Sequence, residues 1–565
     1  MALPCVPCFR GALSLLVAAL AGACGPRTET AEVPAAAPVP QTDPAVFWNS
    51  ATVYFLLTDR FQNGDTTNDR ALGRAKDAAM LRGFEGGDLA GLLQKIEDGY
   101  FDSLGVTAIW MTPFVEQIHA GVDEGTGKTY GYHGYWTRDW TAVDPALGTT
   151  NGLRAVVAAA HRHGIRVLMD AVINHTGPAT SQDSPWPDDW VRSGPNCSYK
   201  SYATTVDCTL VATLPDIRTD RDRPVELPKV LLEKWAREGR RDRELAELDD
   251  YFRRTGHPRA PRYYLIKWLT DWVRELGFDG YRVDTAKHFE PAVSAELKRE
   301  AQEALTSWRR SHPAQARDKM PFYMVGEVYG WDPGQGRSYD FGDRQVDFFG
   351  NGYDALINFG FKSDSGTLEA LFTRYSAMIN RGPLRGVSVL NYLSSHDDGS
   401  PYDRDRRDPI GAGTRLLLAP GTAQIYYGDE LARPLRIAGV EGDANLRSFM
   451  NWADLRSGGA TAKVLEHWRK LGRFRRAHPA VGAGVHRTLQ VKPYIFSRTL
   501  ETGGRVDRVL VAMDQGEGAK TILVFDVFPD GTELVDAYSD VRGIVRNGTV
   551  SLTTGSGLVL LAELR

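Results

Sequence analysis

Blocks of basic residues are absent from this sequence, and the two signs of charge nearly balance. The chain contains 67 lysines and arginines against 71 aspartates and glutamates, a formal net charge of −4. This pattern gives no electrostatic footprint for nucleic acid, so nucleic acid is not expected as a partner. The sequence also lacks an internal repeat, which excludes architectures built by stacking one short unit.

Long apolar runs are missing too, with one exception near the amino terminus. Residues Gly11–Ala23 form an apolar run that follows Arg10 and ends in small residues. The run is too short to span a bilayer as a mature helix, so it predicts a secretory signal over residues 1–24. We therefore expect an exported protein, in the periplasm or on the cell surface.

The end of this signal carries a second pattern. Cys24 follows Leu20-Ala21-Gly22-Ala23, which resembles the cleavage box of bacterial lipoproteins, although Ala21 stands where a larger aliphatic residue is usual. The pattern predicts lipidation of Cys24; the alternative is ordinary cleavage and a soluble secreted protein. Residues 25–45 are rich in proline, alanine, threonine and glutamate, as a flexible linker would be. Contact with a membrane is expected only through such an anchor.

Cysteine is scarce. Of the five cysteines, Cys5, Cys8 and Cys24 belong to the amino-terminal segment, which leaves Cys197 and Cys208 for the mature chain. Both lie in a loop-rich region, and an exported context permits a disulfide. We predict that these two are bridged; two free thiols in the unreduced protein would contradict this.

What the sequence does contain is a long alternation of strand-like and helical segments, beginning near residue 50. Eight strands alternating with helices indicate a parallel sheet, and eight suggest a closed barrel. The strand candidates are Val53–Leu57, Val106–Met111, Arg166–Asp170, Phe278–Asp284, Phe322–Gly326, Ala355–Phe359, Val387–Leu393 and Gln424–Tyr427. The helix candidates are Leu89–Leu104, Gly152–His163, Tyr263–Leu276, Ser294–Trp308, Leu368–Asn380, Gly411–Leu418 and Ala462–Arg475.

Two regions depart from this alternation. Residues 176–262 hold clusters of proline, aspartate, serine and charged residues, with a polar helix candidate near Val230–Arg241. From about residue 482 the sequence changes to short β-rich segments, typical of an antiparallel β domain. The strand candidates there are Tyr494–Thr499, Val506–Met513, Thr521–Asp526, Gly548–Leu552 and Leu558–Leu564. The predicted fold is therefore α/β: a (β/α)8 TIM barrel over 46–175 and 263–481, an insert domain over 176–262 after strand 3, and a C-terminal antiparallel β domain over 482–565.

One stretch, G-Y-R-V-D-T-A-K-H at Gly280–His288, concentrates the chemistry. Alternate residues of a strand share a face, so Arg282 and Asp284 point the same way. An adjacent cation favours the ionised form of a carboxylate, and an ionised, fixed carboxylate is what a covalent glycosidase nucleophile must be. A buried structural Arg–Asp pair is the alternative for this stretch alone.

Three other strand ends argue against that alternative, because apolar strands ending repeatedly in polar groups are hard to explain by packing. In a parallel barrel the chemistry lies at the C-terminal ends of the strands. The third strand ends in Asp170-Ala-Val-Ile-Asn174-His175, the fifth in Gly326-Glu327-Val328 and the seventh in Ser395-His396-Asp397-Asp398. Together these ends predict an active site at one rim of the barrel.

Taken together, these segments resemble the α-amylase superfamily of glycoside hydrolases over about residues 50–480. D-A-V-I-N-H, G-Y-R-V-D-T-A-K-H, G-E-V and S-S-H-D match its four signature segments in order, and G-V-T-A-I-W-M-T-P and L-P-D-I match two more. Exported bacterial α-amylases of the periplasmic type are similar in Y-H-G-Y-W, Y-D-A-L-I-N-F and I-Y-Y-G-D-E. The resemblance implies a retaining hydrolase of α-1,4-glucans such as starch, glycogen or maltooligosaccharides. We expect the protein to be a monomer.

The resemblance also implies roles for individual residues. Asp284 would be the nucleophile, Glu327 the general acid and base, and Asp397 the third carboxylate, which stabilises the transition state. Arg282 would orient Asp284, and Asp170 would be a structural and electrostatic member of the site. The implied substrate-binding residues are Tyr135 and His133 of Y-H-G-Y-W, His175 and His396 as hydrogen-bond donors to the sugar, and Lys287 and His288 on the leaving-group side. Retention requires the two carboxyl groups to be close, about 5–5.5 Å apart.

Calcium is the cofactor that the resemblance implies. Its main site would use Asn174, Asp216 and the backbone carbonyl of His288, with one further ligand from the insert that the sequence does not place. A second site resembles one in cyclodextrin glucanotransferases, since calcium prefers carboxylate, amide and carbonyl oxygens. Its ligands would come from Asn63, Asp65, Asn68, Asp69, Gly86 and Asp88; the alternative there is a polar turn.

Two other functions remain open on the sequence. A glucanotransferase would use the same active site, but relatives that form cyclodextrins usually carry further starch-binding domains, so a chain with one β domain favours hydrolysis. A catalytically inactive glucan-binding surface protein is the second alternative. Such proteins lose the acid or the nucleophile, whereas Asp284, Glu327 and Asp397 are all present.

Overall fold

The computed structural model describes residues 43–564; the predicted signal 1–24, Cys24 and nearly all of the linker 25–45 lie outside them. The linker prediction extends slightly too far, because a helix begins at Pro44 with Asp43 as its N-cap. No helix within the described range is long and apolar enough to cross a membrane.

The centre of the molecule is a closed barrel of eight parallel strands, which confirms the predicted TIM barrel. Each strand is buried along its length, as strands covered by helices on one side and packed together on the other must be. The strands are β1 Thr52–Leu56, β2 Ala108–Met111, β3 Arg166–Ala171, β4 Gly280–Val283, β5 Tyr323–Gly326, β6 Ala355–Asn358, β7 Ser388–Tyr392 and β8 Thr422–Tyr426. β1 pairs with β8 as well as with β2, so the last strand closes the ring.

Helices cover the outside of the barrel, and two further helices, α4 and α5 in the list that follows, belong to the insert. Those of seven residues or more are α1 Pro44–Ser50, α2 Leu89–Glu97, α3 Thr150–Arg162, α4 Lys229–Arg237, α5 Arg241–Thr255, α6 Pro261–Leu276, α7 Pro291–Ser311, α8 Leu368–Asn380, α9 Pro409–Leu417 and α10 Ala460–Ala477. Between β5 and β6 the described chain has no α-helix; it forms a hairpin of Ser338–Asp340 with Gln345–Asp347.

Two predicted helices are broken, and glycine explains both breaks. The predicted helix Leu89–Leu104 stops at Glu97 and resumes at Tyr100–Ser103, because Gly99 has a left-handed φ of 69°. The polar helix predicted near Val230–Arg241 is in fact two helices, α4 and α5, and Gly239 between them has a φ of 70°. A left-handed backbone ends an α-helix, and glycine adopts it without steric cost.

Between β3 and α6 the chain leaves the barrel. This excursion contains a small hairpin, Val191–Arg192 with Asp216–Ile217, and the helices α4 and α5. The disulfide predicted between Cys197 and Cys208 is present and closes one of its loops. A cluster of tryptophan rings (Trp140, Trp186, Trp190, Trp235 and Trp268) packs the excursion against α6.

After the barrel the chain forms the predicted antiparallel β structure, with its own apolar core. Its strands are β9 Val485–Gln490, β10 Ile495–Thr502, β11 Arg505–Ala512, β12 Gly518–Leu523, β13 Glu533–Asp536, β14 Val541–Ile544, β15 Thr549–Thr554 and β16 Val559–Glu563. Six of them form a sheet in the order β9-β10-β11-β16-β13-β14, and β12 pairs with β15. Strands β9, β13 and β14 were not predicted; β9 and β14 are edge strands whose residues are mostly half-buried or exposed, so their apolar signal is weak.

Candidate active site

The register of the barrel brings the polar strand ends together. Val283 at the end of β4 lies opposite Ala171 of β3 on one side and Gly326 of β5 on the other. Asp284 and Glu327 are the next residues of two neighbouring strands, so they leave the barrel side by side. A β-carbon on Gly326 would lie 2.8 Å from the ring of Tyr353, which explains why the residue before Glu327 has no side chain.

A single guanidinium group organises these acids. Arg282 is 1% exposed, and its Nη1 lies 2.6 Å from Asp284 Oδ1 and 2.9 Å from Asp170 Oδ1, while its Nη2 lies 3.0 Å from Glu327 Oε2. Arginine suits this place because its rigid fork offers several donors from one fixed charge. The predicted pairing of Arg282 with Asp284 is therefore only part of a larger arrangement.

Each of the two central carboxyl groups has one oxygen held and one oxygen free. Asp284 Oδ2 is buried without a hydrogen-bond partner among the described residues. Glu327 Oε2 accepts from the backbone N–H of Thr285 at 2.8 Å and forms an ion pair with Arg282, so a proton on Glu327 belongs on Oε1. The pair thus presents one unshielded carboxylate oxygen and one oxygen able to carry a proton.

The electrostatics of Glu327 favour the protonated state at neutral pH. Burial raises its pKa to about 8, with the charges of Asp284 and Asp397 acting in the same direction against those of Arg282 and the Thr285 N–H. A raised pKa is what a carboxylic acid needs in order to donate a proton near neutrality. Glu327 can therefore donate a proton, whereas Asp284 presents a buried oxygen, Oδ2, without a partner among the described residues.

Asp170 lies beneath this pair and holds the neighbouring groups in place. Its Oδ2 accepts from the Tyr135 hydroxyl at 2.8 Å and from Trp110 Nε1 at 3.0 Å, and its Oδ1 accepts from Arg282. The predicted structural role of Asp170 agrees with these contacts. Trp110, at the end of β2, was not among the predicted site residues.

The third acid, Asp397, lies at the open side of the site. Its side chain is 38% exposed, and Ser395 Oγ donates to its Oδ1 at 2.7 Å. Burial alone would raise the pKa of Asp397. The opposing effects are larger, because His396, the Ser395 hydroxyl and the charge of Arg282 all favour the ionised form, so the pKa of Asp397 lies below its usual value. Asp397 is therefore ionised and accessible from the solvent side.

Three buried histidines surround the Tyr135 ring and remain neutral. Burial lowers the pKa of His396 to about 4 and lowers the pKa values of His133 and His175 as well. His396 stacks on Tyr135 with ring centroids 5.0 Å apart. His175 Nε2 lies 3.1 Å from the backbone carbonyl of Tyr135 and must donate to it, which leaves the buried Nδ1 without a partner. In a neutral ring that nitrogen can only accept, so the predicted role of His175 as a donor to sugar does not follow from this geometry.

Lys287 and His288 lie on the β4 side of the site, and both are engaged by protein groups. Lys287 Nζ donates to the backbone carbonyl of Tyr329 at 2.8 Å and lies 3.2 Å from the Tyr339 hydroxyl. His288 Nδ1 lies 3.0 Å from the backbone carbonyl of Thr205, and burial lowers its pKa to about 4. Both residues therefore connect the loop after β4 to neighbouring loops.

A family model for the catalytic domain of alpha-amylase matches residues 55–468, which include all eight barrel strands except the first three residues of β1. The chain belongs to the alpha-amylase family. It is accordingly a glycoside hydrolase, as its strand-end motifs predicted.

Relatives of this alpha-amylase family member include a periplasmic enzyme. It is 38% identical over 523 residues to a periplasmic alpha-amylase of Escherichia coli K12, an overlap that covers 82% of this chain and 72% of the relative. Among solved structures, an alpha-amylase of Anoxybacillus superposes with a TM-score of 0.63 at 21% identity, covering 92% of this chain and 98% of that one. A cyclomaltodextrin glucanotransferase with a three-domain ABC distribution, CldA, superposes with a TM-score of 0.60 at 21% identity, covering 91% and 99%. At these identities the structures support the fold alone.

Asn174 and Asp216, two of the residues predicted for the main calcium site of this amylase, lie close together where the insert meets the barrel. Asn174 Nδ2 lies 3.2 Å from Asp216 Oδ1, and the backbone N–H of Ile217 donates to the Asn174 carbonyl at 2.7 Å. Burial raises the pKa of Asp216 to about 8; no cationic side chain of residues 43–564 forms an ion pair with it. A buried carboxylate in need of a positive charge fits a cation.

The second predicted calcium loop is folded around its own hydrogen bonds. Asp88 caps helix α2 and accepts from the backbone N–H groups of Gly64, Asp65 and Gly91, and Asp69 Oδ1 accepts from Asn63 Nδ2 at 2.9 Å. The amide oxygens of Asn63 and Asn68 are buried without partners, which fits an oxygen-bound cation. Within residues 43–564 no group of three or more His, Cys, Asp or Glu side chains is arranged to hold a metal ion, so amide and carbonyl oxygens would have to contribute at either place.

Three groups at the site were not predicted from the sequence. Trp110 was interpreted as part of an apolar strand, and the Thr285 N–H is a backbone group that no side-chain motif reveals. Arg447, from the segment after β8, donates from Nε to the backbone carbonyl of His396 at 2.9 Å and pairs with Asp443 at 2.6 Å. Arg447 lies 51 residues from His396 along the chain, so sequence spacing does not indicate this contact.

Proposed function

We propose that this amylase is a retaining hydrolase of α-1,4-glucosidic bonds in starch, glycogen or maltooligosaccharides. The observation that carries the proposal is the shared guanidinium of Arg282, which pairs with one oxygen of Asp284 and one of Glu327. Asp284 Oδ2 has no hydrogen-bond partner among residues 43–564, and Oε1 is the Glu327 oxygen that Arg282 and the Thr285 N–H do not engage. A retaining glycosidase needs this pair of groups: a free carboxylate oxygen as nucleophile and a protonated carboxyl as acid.

In the first half-reaction Glu327 protonates the glycosidic oxygen while Asp284 Oδ2 attacks the anomeric carbon. The C–O bond to the leaving sugar breaks, and a covalent glycosyl ester forms on Asp284. Arg282 pairs with Asp284 before the attack, and after the attack it still compensates the charge of Glu327, which has become a carboxylate. The fixed positive charge thus requires no reorganisation during the step.

In the second half-reaction the same groups act in reverse order. Glu327, now ionised, removes a proton from a water molecule, which attacks the anomeric carbon from the face that the leaving group vacated. Two displacements at one carbon retain the α configuration. Asp397, ionised and open to solvent, accepts hydrogen bonds from sugar hydroxyls and stabilises the positive charge that develops in each transition state.

The groups around Tyr135 are proposed to bind the sugar at the cleavage point. The Tyr135 ring stacks under this sugar, with His133 beside it. His396 donates to a hydroxyl of that sugar, and His175 accepts from one through its free Nδ1. Lys287 and His288 line the leaving-group side mainly by fixing the loops there, since their polar atoms already bind protein groups.

Glucanotransfer on the same site is the alternative. There a sugar hydroxyl, in place of water, would release the glycosyl ester from Asp284. The expectation that one C-terminal β domain favours hydrolysis carries no weight, because the glucanotransferase CldA has a three-domain distribution as well. The preference for hydrolysis comes instead from sequence identity, which is 38% to the periplasmic alpha-amylase and 21% to CldA.

A proton NMR time course on maltoheptaose tests the proposal. We expect early product reducing ends in the α configuration and only chains shorter than the substrate. Chains longer than maltoheptaose, or cyclic products without new reducing ends, would assign the protein to the glucanotransferases. Early β-anomer would exclude the retaining mechanism, and no reaction with calcium present would refute the proposed substrate.

Calcium is proposed as a structural ion at two places. Asn174, Asp216 and the carbonyl of His288 would hold the first, and Asn63, Asp65, Asn68, Asp69, Gly86 and Asp88 would supply the ligands of the second. When bound, calcium would supply charge and coordination that tie the insert and the first loop to the barrel; it takes no part in bond cleavage. The buried Asp216 carboxyl and the unpartnered amide oxygens of Asn63 and Asn68 support these assignments.

Removing calcium is expected to lower thermal stability. A ligand at 100 to 1,000 times its Kd stabilises the folded state by about 3–4 kcal/mol, which for a chain of this length corresponds to a shift of roughly 3–4 °C in the unfolding midpoint for each site. Differential scanning calorimetry with and without a chelator measures this shift, and added calcium should reverse it. An Asp216→Asn variant should lose most of the response, with Asp65→Asn reporting on the second loop. An unchanged midpoint after chelation would rule out both sites.

We also propose an exported location, the domain boundaries given below and a monomeric state. The similarity to a periplasmic enzyme and the disulfide Cys197–Cys208 support an exported location. We propose 263–481 as the second part of the barrel, 176–262 as the insert and 482–565 as the β domain, and we move the start of the first part of the barrel from residue 46 to Pro44, where the first helix begins. Lipidation of Cys24 remains a prediction, which mass spectrometry of the mature amino terminus would test.

A further inference from the structure

The disulfide Cys197–Cys208 closes a loop that reaches the active-site rim. We call residues 197–208 the strap. Cys208 is buried and Cys197 is half-buried, whereas Tyr199 is 52% exposed and has a left-handed φ of 58°. A bulky residue in this backbone region is strained, and it persists only when its surroundings determine it. Besides the disulfide, the backbone pairs Cys197 with Thr209 and Tyr199 with Thr204.

One side of the strap contacts the loop after β4. The Thr205 carbonyl accepts from His288 Nδ1 at 3.0 Å, and Thr205 is buried at this contact. The Tyr199 ring lies edge-on to the His288 ring with centroids 6.0 Å apart, and Lys287 Nζ lies 5.9 Å from the Tyr199 centroid. The strap therefore supports the end of the loop that begins with Asp284.

The other side of the strap contacts the hairpin after β5. The backbone N–H of Tyr202 donates to Asp343 Oδ1 at 2.7 Å. The Tyr202 ring packs edge-on against Phe341 at 5.2 Å, and the Arg344 guanidinium lies over it at 4.2 Å. Since this hairpin follows Glu327 along the chain, the strap bridges the loops that follow both central carboxyl groups.

These contacts continue as far as Glu327. In the loop after β4, the N–H of Thr285 donates to Glu327 Oε2 and the N–H of Ala286 donates to the Glu327 carbonyl at 2.9 Å. Lys287 from the same loop donates to the Tyr329 carbonyl and lies within hydrogen-bond distance of the hairpin's Tyr339 hydroxyl. A displacement of the strap would therefore be transmitted to groups that hold Glu327 directly.

We propose that the strap positions the catalytic loops and that its disulfide makes the activity redox-sensitive, an inference that rests on the proposed function. Reduction by a small dithiol would begin at the accessible Cys197 sulfur, form a mixed disulfide and end with two protein thiols and the oxidised reductant. Two electrons and two protons pass from the dithiol to the protein. The freed strap can then relax at Tyr199 and withdraw its support from both loops, so the enzyme is most active where disulfides persist.

The test compares the oxidised enzyme with the same enzyme after dithiothreitol treatment. Thiol titration establishes reduction, and kcat and KM are measured on maltoheptaose well below the unfolding midpoint. We expect kcat/KM to fall on the order of tenfold on reduction, because small misplacements of catalytic groups are costly. Re-oxidation should restore the activity.

Two variants separate the strap from nonspecific effects of the reductant. The double variant Cys197→Ser/Cys208→Ser should resemble the reduced enzyme and should not respond to dithiothreitol. Asp343→Ala keeps the disulfide but removes the contact to Tyr202, so it should lose part of the activity while still responding to reduction. Asp249→Ala, which removes an exposed ion pair with Arg259 on the insert, is the matched control and should behave as the wild type.

The outcomes distinguish this inference from the proposed function. If the reduced enzyme or the double variant keeps kcat/KM within about twofold of the oxidised wild type, or if only the unfolding midpoint falls, the positioning role is refuted while the amylase assignment stands. An oxidised enzyme that is inactive on every α-glucan would overturn both.

Discussion

Replacing Asp284 by alanine is expected to lower kcat on maltooligosaccharides by on the order of 10⁴-fold or more, because no other group can form the glycosyl intermediate. Arg282 would keep its contacts to Asp170 and Glu327, so the fold should remain. The measurement is steady-state kinetics together with a thermal unfolding curve.

Chemical rescue sharpens this prediction. The alanine variant leaves a space beside the anomeric carbon that a small anion such as azide can enter. Attack by azide in a single displacement should give a β-glycosyl azide from an activated α-glycoside, whereas the wild type retains configuration. Asp398→Asn is the matched control: Asp398 is also buried at the end of β7, but it binds Tyr392 and Lys362, and its loss should cost far less activity. An Asp284 variant with near-normal turnover would remove Asp284 from the mechanism.

Replacing Glu327 by glutamine is expected to lower kcat on maltooligosaccharides by about 10²–10⁴-fold, the usual contribution of a positioned general acid. The loss should be smaller for the first step on an aryl α-glycoside with an acidic phenol, since that leaving group needs no proton. The side-chain amide can still occupy the place between Arg282 and the Thr285 N–H, so stability should change little.

The pH dependence of the wild type provides a second measurement on the same residue. Burial raises the pKa of Glu327 to about 8, so the acid is protonated below that value, and kcat/KM should fall as pH rises through it. The Glu327→Gln variant should lose this alkaline limb. A wild-type profile whose alkaline limb lies near pH 5, or a variant that keeps the limb, would assign the acid to another group.

Much of the barrel could be predicted from the sequence because its strands are buried on both sides and appear as uninterrupted apolar runs. The predicted strand Phe322–Gly326, for example, differs from β5 by one residue. Errors arose where a single glycine changes the backbone, as at Gly99 and Gly239. They also arose at β9 and β14, whose edge positions leave side chains partly exposed.

For the candidate site, the sequence predicted the identities of the acidic residues but not the contacts among them. Asp284, Glu327 and Asp397 could be proposed from the sequence because a charged group after an apolar strand is conspicuous. The sharing of Arg282 among three carboxylates could not be found, since it depends on the lateral register of β3, β4 and β5. Contacts from distant segments, such as that of Thr205 with His288, have no local sequence signal at all.

The closure of the barrel by β1 and β8 has a consequence for how the chain folds during its synthesis. Val53 pairs with Gln424, so one edge of the nascent sheet has no partner until most of the chain has been synthesised. Contacts between such distant residues form slowly, and an unpaired strand edge invites aggregation. We therefore expect the growing chain to depend on chaperones until β8 emerges, and any truncation before residue 422 to yield insoluble protein rather than a smaller enzyme.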